Sequence, residues 1–163
     1  MLVGVLGGAV FQYWDRIFPP SGTKGDGGQS LAVEVVQANY RRAFSLNFTT
    51  RFATRSEFEA VARSISESRS EVQKRVVKFT AIGDSVAATT LRNMLEKLNT
   101  LESRFKAMEP FVGDNVRLDG TASPSLTKLF QEAEAVRLEY LAELRAFAQQ
   151  THVPLPSVPV GSP

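Results

Sequence analysis

Hydrophobic residues recur at three- and four-residue intervals through most of this chain. Leu91, Met94, Leu98, Leu101, Phe105 and Met108 keep strict spacing, with Ala87 one step before them. Phe58, Val61, Ile65, Val72, Phe79 and Ile82 follow the same template, interrupted by Ser68 and Arg75, with Val76 beside the latter. A third stripe runs Leu126, Leu129, Ala133, Val136, Tyr140, Leu144 and Phe147, and a fourth begins Val33, Val36, Tyr40 and Ala43 with Phe44 alongside. Residues so spaced share one face of an α-helix and pack lengthwise against other helices at shallow angles, as in a coiled coil. Strand-like alternation is confined to Leu31, Val33 and Val35, and it gives way to the helical pattern that follows.

Glycine and proline punctuate the stripes. Nine of the 19 lie within residues 1–28, and none lies in 29–82, 84–109 or 125–153. Helix ends carry matching chemistry. Thr54-Arg-Ser-Glu57 is a capping box, in which the hydroxyl takes an orphan backbone N–H and the glutamate reaches back. Gly83-Asp84 pairs a helix-ending glycine with an N-cap. Ser123-Pro124 places a cap before proline at the first helical position, and Ser30 can cap the first helix.

These signals predict helices near 30–47, 55–82, 85–108 and 124–150. The fold class is all-α: an antiparallel up-and-down four-helix bundle preceded by a short apolar N-terminal segment. The polar and β-branched stretch Asn47–Thr54 marks a bend; without it, 30–82 would form one long helix in a three-helix arrangement. The chain then divides into an apolar segment 1–18, a flexible Gly/Pro linker 19–29, the bundle 30–150 and a Pro-rich disordered tail 151–163.

Composition narrows the chemistry. At 163 residues and 43% hydrophobic content, the chain suits one folded domain. With no cysteine there are no disulfides, thiolate nucleophiles or Cys-ligated zinc. His152 is the single histidine, which excludes sites needing two imidazoles, including the Glu-x-x-His pairs of di-iron bundles; its place after the last helix suits interaction with the negative end of that helix. The Gly-rich run Ser21–Ser30 matches neither nucleotide-binding glycine motif and reads as linker. Glu67/Glu71, Glu132/Glu134 and Glu139/Glu143 fall on exposed-face positions, with Glu71–Arg75 and Glu102–Lys106 as ordinary i,i+4 pairs. No catalytic residue, metal or cofactor is expected, and the chain reads as non-enzymatic.

Two features suggest contacts. Met1–Trp14 has no charged side chain and ends in Phe11, Tyr13 and Trp14, followed by Asp15-Arg16, the order found where a membrane helix meets the interface. Fourteen residues reach only about 21 Å of a hydrocarbon core of about 30 Å, so a span would run through Phe18, with Arg16 snorkelling and the bilayer thinned. Arg16 and Lys24 follow the segment, which leans the bundle towards the cytoplasmic side. Gly4 and Gly8 form a GxxxG pair that would let two such helices approach closely. The second feature is Tyr40, Phe44, Phe48 and Phe52 at four-residue intervals beside Arg41, Arg42, Arg51 and Arg55, a candidate basic-aromatic face. The simpler reading buries the aromatics and leaves the arginines outside.

The expected function is a membrane-anchored helical bundle acting as an interaction, scaffold or sensory module, resembling sensory four-helix domains in architecture alone. Its expected partners are another protein or a second copy, and the membrane through residues 1–18. The alternative is a soluble or peripheral binder of nucleic acid or acidic lipid through residues 41–55, but a net charge of +2 is not the footprint of a nucleic-acid protein.

Overall fold

Gly83, where the second stripe stops, has φ +81°, the left-handed backbone that glycine adopts without a Cβ clash. Its N–H donates to the Thr80 carbonyl (3.2 Å) and the next N–H, of Asp84, donates to Phe79 (3.1 Å). This paired arrangement satisfies carbonyls that a helix end would otherwise leave open. The Asp84 carboxylate then accepts the Ala87 N–H at 3.0 Å and starts the next helix. One residue pair thus ends one helix, caps another and reverses the chain.

A computed structural model describes residues 26–46, 55–112 and 124–157. It contains helices α1 (Asp26–Ser45), α2 (Arg55–Ala81), α3 (Ser85–Met108) and α4 (Pro124–Gln150), with a 3-10 turn at Glu109–Phe111 and no strand among the described residues. Contacts across the helices run in opposite chain directions at every interface. Arg75 meets Glu34 at 2.7 Å while Arg42 meets Glu67 at 3.9 Å, so α1 and α2 are antiparallel. Lys97–Glu139 (2.8 Å) and Arg104–Glu132 (3.0 Å) do the same for α3 and α4. Each helix packs on the next and α1 closes against α4, making an up-and-down four-helix bundle. A continuous helix over 30–82 is thereby excluded, because α1 ends at Ser45 and lies alongside α2.

The core has two parts. The first joins Val35, Val36 and Ala43 of α1, Val72 and Phe79 of α2, Leu91 to Leu98 of α3 and Leu144 to Ala148 of α4, with Phe79 and Phe147 edge to face at 5.6 Å. In the second, Phe58 stacks on Phe105 at 4.2 Å among Ile65, Leu101, Met108, Leu126 and Ala133. Helix α1 is the shortest at 20 residues, and among the described residues of this stretch only Leu46, just past its end, reaches the second part.

The boundaries of α3 and α4 match the predicted ones, and α2 ends one residue early. Helix α1 differs most. It begins at Asp26 rather than 30, so Ser30 lies inside the helix instead of capping it, and the linker predicted over 19–29 is helical from residue 26. Gly28 lies against α2's exit turn, where an added Cβ would sit 3.4 Å from Ile82 Cδ1; tertiary packing here overrides the low helix propensity of glycine. Thr54 and Ser123, the other predicted caps, lie outside the described residues, although helices begin at the positions immediately after them.

The segment from 151 also begins differently from the predicted disordered tail. His152 has φ 54°, its N–H donates to Gln149 (3.2 Å), and the Val153 N–H donates to Ala148 (2.9 Å). Val153 is buried in the first core. Residue 152 thus fills the position that usually takes glycine, with a side chain that is exposed. His152→Gly is expected to raise stability by about 1 kcal/mol, and Gly83→Ala to lower it by about as much. Urea unfolding midpoints at unchanged slope check both, and no gain from His152→Gly would contradict the strain at this turn.

Candidate functional site

The predicted basic face does not form one patch among the described residues. Arg41 is exposed on α1. Arg42 is half-buried and turned to Glu67 of α2. Arg55, at the start of α2, pairs with Glu59 (3.1 Å) and Glu109 (3.9 Å). The offset of 12 positions from Arg55 to Glu67 separates the two guanidinium sites by about 18 Å along α2. Arg51 lies outside the described residues, as do Phe48, Phe52, Gly4 and Gly8. Tyr40 is buried and meets the half-buried Phe44 edge to face at 4.9 Å, so these two aromatics serve the core.

Most of the carboxylates singled out in the sequence occupy ion pairs between and along helices. Glu71 takes Arg75 at 2.8 Å, Glu132 takes Arg104, Glu139 takes Lys97, and Glu102 takes Arg69 at 3.1 Å with Lys106 at 3.9 Å. The hydrogen bond and charge of Glu139 hold the Lys97 ammonium above its usual range. Arg75, the interruption of the α2 stripe, sits at the bundle margin with its side chain 13% exposed. Burial works against its charge, but the hydrogen bond and charge of Glu71, then Glu34, outweigh this and raise its pKa. Val76 packs against the core beside it. The Arg75–Glu34 pair links α2 to α1.

A polar layer, unforeseen in the sequence, crosses the bundle between the two cores. Asn39, fully buried on α1, donates to its own Val35 carbonyl (3.0 Å) and accepts from the Tyr140 hydroxyl of α4 (3.2 Å). Arg137, only 8% exposed, clasps Glu134 with two N–H groups and donates a third to the Ala43 carbonyl at 3.0 Å. Ala43 is among the last four residues of α1, whose carbonyls have no partner within the helix. The guanidinium therefore satisfies a helix end and meets the negative end of its dipole. Ser68 of α2 is also fully buried, and its hydroxyl has no partner among the described residues. A signal did exist: Asn39 lies between Val36 and Ala43 at heptad spacing, and Arg137 falls seven before Leu144.

Two concave features among the described residues are shallow. One, about 550 Å³, lies beside His152 and Leu155; another, about 340 Å³, lies among Lys74, Arg75, Val77 and Lys78. Among the described residues no three His, Asp or Glu side chains are grouped to hold a metal ion. No family model, curated protein or solved structure matches this chain.

Tyr140 gives the layer a pH signature. Burial raises its phenol above the usual value, and the Arg42 charge opposes this only in part. The unfolded chain loses the phenolic proton near pH ~10 while the folded chain keeps it, so stability falls as pH rises beyond that point. Tyr140→Phe is expected to cost about 1–2 kcal/mol at neutral pH through the lost bond to Asn39. The gap to the parent should close above about pH 10. Chemical unfolding across pH measures it, and a constant gap would count against this origin.

Proposed function

We propose that the chain is a membrane-anchored helical bundle that works by binding rather than by chemistry, with residues 1–18 as the anchor and the bundle as an interaction or scaffold module. The observation that carries this reading is the charge-free run Met1–Trp14, closed by aromatic residues and then charge. Among the described residues no helix is long and apolar enough to cross a membrane, so the anchor rests on this segment alone. Helix α1 starts at Asp26, and Pro19–Gly25 is a seven-residue connection that extends to about 24 Å. The bundle would therefore stay close to the bilayer. Gly4 and Gly8 offer a face on which two anchors could pair, and the partners proposed for the bundle are a protein or a second copy.

Membrane partition tests the anchor by comparing the full chain with one starting at Ser21. The full chain is expected to resist a carbonate wash while the shortened chain stays soluble. If both stay soluble and the shortened chain melts at lower temperature, residues 1–18 are part of the folded bundle and the anchored reading falls.

A further inference from the structure

Large apolar side chains are not scattered evenly over the surface. Among the described residues six are exposed, and four of these, Val77, Ile82, Val86 and Leu155, lie at or within about two turns of one end of the bundle. Ile82 and Val86 flank the tight α2–α3 turn and are 52% and 61% exposed; Val77 on α2 is 65% exposed. The same end receives the chain from residues 1–25, because α1 begins there with Gly28 against Ile82.

Charge at this end favours an anionic partner. Val77 shares a shallow surface with Lys74 and Lys78, and among the described residues neither lysine makes an ion pair. Two nearby acids are already engaged: Glu71 holds Arg75, and Asp84 caps α3. Aliphatic tips beside long cationic side chains suit the headgroup level of a bilayer, where the tips enter the acyl boundary and ammonium groups reach lipid phosphates.

We propose that the α2–α3 turn is a second membrane contact: Ile82, Val86 and Val77 dip into an anionic bilayer surface while Lys74 and Lys78 bind its phosphates, so the bundle stands with this end on the membrane. The proposal rests on the anchored reading, since residues 1–18 would bring this end to within linker reach. It makes the anchor a two-signal attachment, one insertion plus one interfacial patch, and it fixes which end of the bundle is free for partners.

The absence of cysteine allows single-site labelling of the full chain. Val86→Cys and, as a control, Leu138→Cys each carry an environment-sensitive fluorophore. Leu138 neighbours Glu139, whose partner Lys97 is 12 residues into α3 from Ser85, about 18 Å from the docking end. The proteins are mixed with phosphatidylcholine vesicles, with or without phosphatidylserine, and floated. The expected result is flotation with both compositions, a blue shift at Val86 only with phosphatidylserine, and none at Leu138. Adding K74E and K78E should abolish the shift and leave flotation intact. Flotation with a water-like Val86 probe would overturn the docking and leave the anchor standing. No flotation would overturn both. A Val86 probe already shielded before vesicles are added would mean that protein covers this end, which also overturns the docking.

Discussion

Helix α1 has to end inside the bundle, and the Arg137 guanidinium is what permits it. A helix end buried without partners leaves carbonyl groups that cost more than a kilocalorie each. The 20 residues of α1 stop against α4, which is 27 residues long, and Arg137 supplies a charged donor to the Ala43 carbonyl there. Glu134 neutralises the guanidinium from one turn away, so neither the charge nor the carbonyl is left alone. One turn further, Tyr140 and Asn39 repeat the connection between the same helices. A slip of α1 along α4 by one heptad would break both contacts, whereas the apolar stripes alone would meet again in register. The polar layer therefore chooses among packings that hydrophobic burial leaves nearly equal.

From this layer the bundle divides in two. Towards the α2–α3 turn, four helices enclose a continuous core, and Arg75 with Glu34 and Glu71 ties α1 down a second time. In the other direction α2, α3 and α4 continue, with aromatic stacking of Phe58 on Phe105. The proposed membrane contact lies at the first end, the one fixed on four sides. That arrangement would transmit the position of the anchor to the whole bundle rather than to a loose helix.

Much of the fold was legible because several signals coincide. In α3 the heptad spacing, the Gly83-Asp84 turn and Pro110 all mark the same limits, and the helix observed has the predicted bounds. The start of α1 was misread because Gly27 and Gly28 look like linker; the neighbour of Gly28 is Ile82, over fifty residues away, which nothing local in the sequence shows. Surface chemistry was the least legible. Arg42 and Arg55 are close in sequence, but a helix reversal places them at different levels, each facing carboxylates. Arg137 and Asn39 lie beside the stripe positions Val136 and Tyr40 and carry no local signal of their partners, which lie 94 and 101 residues away.

Amide hydrogen exchange in the parent chain and in Arg137→Met addresses the role of this guanidinium most directly. If Arg137 holds α1 in place, the α1 amides should lose protection by about tenfold or more, while those from Leu91 to Leu98 in α3 keep theirs. Equal loss in both helices, or none in α1, would contradict a bundle whose first helix is set by this one buried contact.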